Sequence, residues 1–268
     1  MTAATAGEPE IIDLHGVKVE IRRRGAGRDI LWLPGGAWFG DEAGFDETLA
    51  RLGRVVTPVH PGFGAIDAPP RFNCADDLAY LYLDLVARLG MKNALVVGAG
   101  FGGWIAAEIA TKTCADVGAL VLIDPVGVRT GERTARDIAD IFAIADPDLK
   151  TMAWADASRF NDRTPALDDA ELTRRVRARV ALARYGWQPY MHNPKLNARL
   201  RRVAAPTLFL WGARDRIVTP DYGRKYAALV PGARFSLIDD AGHFPHVEQP
   251  SAVIDAIASF VRAEGATR

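Results

Sequence analysis

The sequence predicts a doubly wound α/β fold, with a mostly parallel sheet of eight strands and an inserted helical segment. Three observations support this prediction. Short apolar strands alternate with helical segments in both halves of the chain. The strand at Val117–Ile123 has almost no polar residue, as expected for a strand that is buried on both faces. Between residues 128 and 202 the pattern changes to helices and loops without a convincing strand.

The composition restricts the partners that we expect for this chain. Its 268 residues include 33 basic and 33 acidic side chains, so no net charge attracts nucleic acid or an anionic membrane surface. The chain has neither a basic leader followed by an apolar run nor an apolar stretch of roughly 20 residues, the length that spans a bilayer. We therefore expect a cytoplasmic monomer or homodimer that binds a small molecule. Cys74 and Cys114 are expected to be reduced thiols.

The first part of the chain is predicted to contribute six strands and two helices. Residues 11–24 alternate in polarity and are broken by His15-Gly16, which predicts a hairpin. Asn73 is expected to cap a helix whose apolar residues keep helical spacing until Gly90 ends it. The four further strands are predicted at Asp29–Leu33, Arg54–Val59, Ala94–Val97 and Val117–Ile123.

The segment 128–202 is interpreted as a helical cap inserted into a core formed by residues 11–127 and 203–268, with residues 1–10 as a disordered tail. Within the cap, Asp168 predicts the start of a helix. One side of this helix is apolar, and its arginines are interpreted as a solvated face, with a site for an acidic substrate as the alternative. The apolar side is formed by Leu172, Val176 and Val180, and the arginines are Arg174, Arg175, Arg177 and Arg179.

Strands and helices alternate again after the cap. Strands are predicted at Pro206–Trp211 and Arg234–Ile238, and the helix between them is expected to end at Val230. A final helix is predicted over Ser251–Val261. This return of the α/β pattern makes the cap an insertion rather than a linker between two domains.

Residues 95–108 join an apolar strand to a helix through a turn that is rich in glycine. The helix is expected to end near Thr113. The turn follows the pattern Gly-x-Ser-x-Gly, in which the serine is a nucleophile, but Gly100 stands at the serine position. Cys114 cannot replace the serine, because it lies about 14 residues, or roughly 20 Å, further along the helix. The side chain that would attack a substrate is therefore missing.

Asp215 and His243 each follow a predicted strand, at the edge where a parallel sheet places its ligands. Taken singly, such an aspartate is often a turn residue, and a histidine in a Gly/Pro loop is often a surface group. The order glycine-rich corner, acid, histidine matches a triad in which the carboxylate orients the imidazole and the imidazole moves the proton. His246 is the less favoured base, and Asp124 is interpreted as a turn or supporting residue.

Two motifs resemble those of a known family. Trp-Gly-x-x-Asp at 211–215 and Gly-His-x-x-x-x-Glu-x-Pro at 242–250 are similar to the acid and base motifs of the α/β-hydrolase fold superfamily. The resemblance covers roughly residues 11–262 and is greatest to small bacterial hydrolases with a helical cap. It implies that Asp215 is the acid and His243 the base.

The same resemblance implies an oxyanion hole built from two backbone N–H groups. One belongs to Phe101, the residue after the nucleophile position, and the other to the stretch Gly35-Gly36-Ala37, with Gly36 as the first choice. The family usually has His-Gly where this chain has Pro34-Gly35, a change that keeps the backbone donors.

Three interpretations of Gly100 remain open. The glycine is an engineered replacement of serine, or it is natural in an enzyme that forms no acyl-enzyme, or the pocket only binds a ligand. Loss of a triad serine costs on the order of 10⁶ in kcat in subtilisin, whereas the oxyanion hole and binding retain roughly 10³–10⁴ over water. Efficient acyl transfer is therefore not expected, but general-base catalysis by the Asp215–His243 pair is possible chemistry.

The substrate pocket is predicted to be lined by six side chains from the loops and the cap, although cap aromatics are as often the cap's own core, and a histidine after a strand is as often structural. These are Trp38, Phe39, His60, Trp154, Trp187 and Tyr190. We therefore expect an enzyme without metal or organic cofactor, esterase-like or a C–C/C–O hydrolase or a relative of these. Its substrate would be a small, largely apolar ester or carbonyl compound. The alternative is a non-catalytic small-molecule binding protein.

Overall fold

The computed structural model describes most of the chain. The described residues are 8–36, 44–113, 115–132, 136–159 and 167–266. The predicted pocket residues Trp38 and Phe39, the thiol of Cys114 and residues 1–7 of the predicted tail lie outside this set.

Eight strands are present in the described residues, and the doubly wound α/β prediction is confirmed. They are β1 (Glu10–Leu14), β2 (Val17–Arg24), β3 (Asp29–Leu33), β4 (Arg54–Pro58), β5 (Ala94–Ala99), β6 (Val117–Ile123), β7 (Thr207–Gly212) and β8 (Arg234–Ile238). They form one sheet in the order β1-β2-β4-β3-β5-β6-β7-β8. The pairs β1–β2 and β2–β4 are antiparallel, and all other neighbours are parallel.

Helices cover both faces of the sheet. They are α1 (Phe45–Leu49), α2 (Ala75–Arg88), α3 (Gly100–Lys112), α4 (Asp146–Ala153), α5 (Asp169–Gly186), α6 (Leu196–Arg199), α7 (Pro220–Ala227), α8 (Pro245–Glu248) and α9 (Pro250–Ala266). The apolar residues of α1 and α9 pack on one face, and those of α2, α3 and α7 pack on the other. All seven residues of β6 are buried, as the lack of polar residues predicts. None of the described helices is long and apolar enough to cross a bilayer.

The start of α2 differs by one residue from the prediction. The residue that caps α2 is Cys74 rather than Asn73. The carboxylate of Asp77 reaches back and accepts hydrogen bonds from the backbone N–H of Cys74 at 3.1 Å and of Asn73 at 2.8 Å. This acidic side chain in the first turn therefore satisfies the backbone N–H groups of the two residues that precede the helix, as the N3 carboxylate of a capping box does for the N-cap. Gly90, with a positive φ of 62°, follows the end of the helix as expected.

The segment between β6 and β7 carries the helices α4, α5 and α6 and no strand among its described residues. Two arginines of α5 tie it to the loop that follows β4. Arg177 Nε donates to the Gly64 carbonyl at 3.0 Å, and Arg184 donates to the Phe72 carbonyl at 2.7 Å. The arginines of this helix are thus only partly a solvated face, because these two hold α5 over the sheet edge.

The apolar stripe predicted on α5 points away from the core. Val176 and Val180 are 63% and 65% exposed, while Ala178, Leu182 and Tyr185 are buried. Small residues let α5 lie close to the sheet edge, and the Tyr185 ring stacks on Phe101 with 6.0 Å between centroids. The buried side therefore differs from the side that hydrophobicity alone would select.

Candidate active site

The carboxyl ends of the parallel strands converge on one edge of the sheet. There the chain places residues from six strand ends. They are Pro34 after β3, His60 after β4, Gly100 after β5, Asp124 after β6, Asp215 shortly after β7 and His243 shortly after β8. Open α/β sheets bind ligands at this edge, so the described chemistry-bearing residues meet where a site is expected.

The turn after β5 contains glycines with two different functions. A Cβ at Gly102 would lie 2.0 Å from the Leu33 carbonyl oxygen, and one at Gly98 would lie 2.4 Å from the Gly102 carbonyl oxygen. Those two positions must therefore be glycine for the strand and helix to meet. Gly100 has a positive φ of 49°, but a Cβ there would lie 3.6 Å from His243 Nε2, an ordinary contact distance. Position 100 consequently has room for a side chain that points at His243.

His243 and Asp215 form a buried hydrogen-bonded pair. The distance from His243 Nδ1 to Asp215 Oδ2 is 2.8 Å, and the residues are 4% and 2% exposed. The other carboxylate oxygen, Oδ1, accepts from the backbone N–H groups of Ile217 at 2.7 Å and Val218 at 3.1 Å. Because a carboxylate oxygen only accepts, the Nδ1 of the neutral ring carries the hydrogen, and Nε2 presents its lone pair toward Gly100.

The loop that carries His243 is held by Glu248, which sequence analysis left without a function. Its carboxylate accepts from the backbone N–H of Gly242 at 2.6 Å and of Ala155 at 2.9 Å. Burial raises the pKa of Glu248 above its ordinary value, although these N–H donors oppose the shift. The backbone N–H of His243 donates to the Ala153 carbonyl at 2.7 Å. The glutamate of the 242–250 motif was the available signal for this loop anchor.

Asp124 supports the acid loop rather than replacing Asp215. It is fully buried with a positive φ of 42°, and its Oδ1 accepts from the backbone N–H of Gly212 at 3.0 Å. Burial first, and the adjacent Asp215 carboxylate second, raise the pKa of Asp124 well above its ordinary value. Asp124 therefore keeps its proton to a higher pH than an ordinary aspartate does, beside the carboxylate that is hydrogen-bonded to His243.

Replacing Asp124 with asparagine is expected to stabilise the protein increasingly as the pH rises above about 4. A carboxyl group ionises in the unfolded chain near pH 3.9, whereas burial raises the pKa of Asp124 in the folded protein well above that value. Between those two pKa values each pH unit costs the wild type about 1.4 kcal/mol of unfolding free energy, a cost that the amide avoids. Urea unfolding of both proteins at pH 4.5, 6.0 and 7.5 measures the difference.

Asp124→Ala is the matched comparison for this experiment. It removes the same titration but leaves the buried N–H of Gly212 without its acceptor, which costs about 1–3 kcal/mol at every pH. We expect the alanine variant to be less stable than the asparagine variant by a constant amount. An Asp124→Asn stability difference that does not change with pH would contradict a raised pKa in the folded state.

A small cavity of about 20 Å³ lies beside His243 and Gly35. The rest of its described lining is apolar and comes from α3, from the β6–β7 segment and from Ile217 in the loop after β7. A single water molecule needs about 10–15 Å³ of such space, so the cavity has room for one water and not for the body of a substrate.

The four described residues among the predicted pocket residues are absent from the lining of this cavity. His60 hydrogen-bonds to Tyr82 and to the Pro34 carbonyl, and it lines a separate cavity together with Gly36. Trp154 packs against Phe244, with 5.4 Å between ring centroids. Both rings are thus engaged in the loops that surround the site, and their place in the substrate pocket stays a prediction.

Trp187 and Tyr190 line a larger cavity of about 400 Å³ in the β6–β7 segment. Ile138 contributes to the walls of both this cavity and the small one beside His243. Trp187 and Tyr190 therefore do not line the His243 cavity, and the side chain of Ile138 lies between the two cavities. The indole of Trp187 is 56% exposed and contacts the ring of Phe142.

One group of described residues has a spacing compatible with a metal ion. Single ligand atoms of Asp124, Asp215 and His243 lie within 4.8 Å of one another. An ion there would compete with the hydrogen bond between Asp215 and His243 and with the proton on Asp124. The donor set therefore fits an acid–base pair with a supporting carboxylic acid better than it fits a resident metal.

Comparison with known proteins identifies a family and several distant relatives. The model of the alpha/beta hydrolase family matches residues 14–256. The biotin biosynthesis bifunctional protein BioHC of Teredinibacter turnerae is 25% identical, over 76% of this chain and 38% of its own length. The sn-1-specific diacylglycerol lipase ABHD11 of Mus musculus is 25% identical, over 66% of this chain and 62% of its own length. The chain thus spans less than two thirds of the length of either relative.

Solved structures show the same fold. A meta-cleavage product hydrolase from Pseudomonas fluorescens IP01 superposes with a TM-score of 0.76 over 95% of this chain and 97% of its own. The sequence identity is 18%, so this similarity concerns the fold alone.

Proposed function

Because the chain belongs to the alpha/beta hydrolase family, we propose that it is an enzyme for small, largely apolar ester or carbonyl compounds. His243 is the general base and Asp215 fixes its tautomer. The observation that carries this proposal is the buried 2.8 Å contact of His243 Nδ1 with Asp215 Oδ2. It leaves Nε2 as the proton acceptor next to Gly100.

The nucleophile in this proposal is a water molecule. The 20 Å³ cavity beside His243 has room for one water, and its lining includes His243 and Gly35, the two residues nearest to the place of a Cβ on Gly100. His243 Nε2 removes a proton from this water as its oxygen attacks the substrate carbonyl, and Asp215 stabilises the imidazolium that forms. When the tetrahedral intermediate collapses, the bond to the ester oxygen breaks, and the imidazolium returns its proton to the departing alkoxide, which leaves as the alcohol. No acyl-enzyme is formed, because Gly100 offers no atom for the acyl group.

The negative charge that develops on the carbonyl oxygen requires backbone donors. Phe101 lies in the first turn of α3, where N–H groups have no partner within the helix. Gly35 is the second candidate, since it lines the cavity beside His243 while Gly36 lines the separate cavity near His60. We therefore shift the expected second donor from Gly36 to Gly35.

The body of the substrate occupies the larger cavity of the β6–β7 segment. The His243 cavity is too small for more than the reacting atoms, and the 400 Å³ cavity shares the Ile138 wall with it. Arg136 in its lining is paired with Asp140 at 3.0 Å, so that charge is already balanced. Trp187 and Tyr190 offer aromatic faces on which a flat apolar group can stack, and Arg129, Asp137 and His192 add polar groups to the same lining.

Replacing His243 with alanine tests the proposed function. Wild-type protein is assayed against a panel of short-chain aryl esters, and the most rapidly hydrolysed ester is used for comparison. General-base catalysis typically contributes 10²–10⁴, so we expect kcat/KM to fall by about that factor. His15→Asn, on the exposed hairpin turn, is the control histidine replacement and should leave turnover unchanged.

The absence of a hydroxyl at position 100 also supports a second candidate, a binding protein that uses the same pocket. A binding protein would show no turnover above buffer and would keep its ligand affinity in the His243→Ala variant. Unchanged turnover in that variant would reject the general-base mechanism.

A further inference from the structure

His60, which follows the end of β4, is buried between hydrogen-bonding partners from two other elements. Its Nε2 lies 2.9 Å from the carbonyl oxygen of Pro34, and its Nδ1 lies 2.5 Å from the hydroxyl of Tyr82. His60 is 2% exposed and Tyr82 is 0% exposed. Because Tyr82 belongs to α2, the imidazole connects that helix to the turn that follows β3.

The partners determine which ring nitrogen carries the hydrogen. A carbonyl oxygen only accepts, so Nε2 donates to Pro34. Nδ1 of the neutral ring then accepts from the Tyr82 hydroxyl, which stays protonated because burial raises the pKa of Tyr82 well above its ordinary value. The hydroxyl thereby selects the tautomer that holds the Pro34 carbonyl.

The Pro34 carbonyl belongs to the same planar peptide as the N–H of Gly35. Holding that oxygen fixes the plane in which the Gly35 N–H lies. Gly35 borders the His243 cavity, and its Cα lies 3.7 Å from the position of a Cβ on Gly100. The hydrogen bond from His60 to the Pro34 carbonyl therefore controls the orientation of the Gly35 N–H next to the proposed reaction centre.

The next residue, Gly36, also depends on His60, through the ring of Phe63. A Cβ at Gly36, whose φ is 94°, would lie 2.5 Å from Cε1 of Phe63. The Phe63 ring in turn packs edge-on against the His60 ring, with 5.3 Å between centroids. Two consecutive residues of the turn thus depend on His60, one through a hydrogen bond and one through packing.

We infer that His60, oriented by Tyr82, is a positioning residue that sets the Pro34–Gly36 turn for oxyanion stabilisation. The inference rests on the proposed function for its catalytic consequence. The geometry of the turn, however, depends on His60 whether or not the protein turns over a substrate. The two consequences are measured separately.

The kinetic experiment compares His60→Leu, His60→Gln and Tyr82→Phe on the aryl ester that the wild type hydrolyses fastest. Loss of one oxyanion donor costs about 10²–10³ in kcat, so a displaced donor in His60→Leu should cost roughly 10–100-fold. KM should change less than about twofold, because the substrate body lies elsewhere. Glutamine offers an N–H near the place of Nε2, and we expect it to restore kcat to within about threefold of the wild type.

Tyr226→Phe is the matched control for Tyr82→Phe. Tyr226 is also fully buried, and within the described residues its hydroxyl has no hydrogen-bond partner. Both variants lose a buried hydroxyl from the core. Only Tyr82→Phe should lower kcat, and an equal loss in the two variants would overturn the positioning role.

Nuclear magnetic resonance tests the turn without any substrate. The ¹⁵N shifts of His60 should show a protonated Nε2 and an accepting Nδ1 in the wild type. In Tyr82→Phe and His60→Leu the amide signals of Gly35 and Gly36 should move, and in Tyr226→Phe they should stay. Unmoved glycine signals would overturn the inference, whereas moved signals in a protein without turnover would uphold it and reject only the proposed function.

Discussion

A serine at position 100 is expected to convert this protein into an aryl esterase. The structure leaves room for the new Cβ 3.6 Å from His243 Nε2, and an oxygen one bond further falls within hydrogen-bond reach of roughly 2.6–3.2 Å. The base is already oriented by Asp215. Since a triad serine is worth on the order of 10⁶ in kcat, we expect kcat/KM for p-nitrophenyl acetate to rise by at least about 10³.

Gly100→Ala is the matched control for this gain of activity. Both substitutions place a Cβ at a residue with φ of 49°, and both therefore carry the strain of a positive φ, on the order of 1–3 kcal/mol. Only serine adds a nucleophile. A burst of p-nitrophenol equal to the enzyme concentration should accompany Gly100→Ser, and it should disappear when His243 is also replaced with alanine.

The outcome separates the three interpretations of Gly100. A large gain with burst kinetics means that the site retains the complete geometry for acyl transfer, whether the glycine is natural or engineered. Equal rates in the serine and alanine variants would mean that the site has diverged beyond the one missing atom. The wild-type activity then decides between water-based chemistry and simple binding.

The strand framework and the acid–base pair were predictable from local sequence. The apolar run at β6 and the glycines at 98 and 102 are constrained by burial and by backbone contact, and such constraints act on residue type directly. Asp215 and His243 follow strands whose carboxyl ends must meet at one edge. Their contact therefore follows from topology once the strands are assigned.

The functions of His60, Glu248 and Arg177 were not predictable in the same way. Each hydrogen-bonds to backbone groups of a segment that is distant in sequence, at Pro34, Ala155 and Gly64 respectively. A backbone N–H or carbonyl group is present at almost every residue, so the residue type at the partner position does not reveal the hydrogen bond. The sequence therefore indicated a polar residue without indicating what it would bind.

The buried side of α5 was unpredictable for a different reason. Its exposed stripe contains Val176 and Val180, whereas the buried side contains Ala178 and Ala181. A helix that packs close to the sheet edge needs small residues on the packed side. A prediction based on hydrophobic periodicity favours large apolar residues instead, so it selects the valine side. The stacking of Tyr185 on Phe101 then fixes the helix above the site.

Replacing Asp215 with asparagine in the Gly100→Ser background is expected to remove about 10⁴ of the gained kcat. The backbone N–H groups of Ile217 and Val218 both point at Oδ1, so they hold the amide with its oxygen in that place. The amide nitrogen then faces His243 and donates to Nδ1, which forces the ring hydrogen onto Nε2. In that tautomer the imidazole cannot accept the serine proton, which is the origin of the loss.

Asp239→Asn removes one negative charge at an exposed position, as Asp215→Asn does in the site. It controls for the effect of net charge and should leave kcat unaltered. The ¹⁵N shifts of His243 should show the exchanged tautomer in the Asp215→Asn variant and the original one in the control. A loss of less than tenfold with the tautomer unchanged would mean that another group orients His243. Asp124, whose carboxyl lies beside Asp215, is the residue that a further Asp124→Asn replacement would then test. In that case the second carboxyl group, and not Asp215 alone, would hold the imidazole in its working tautomer.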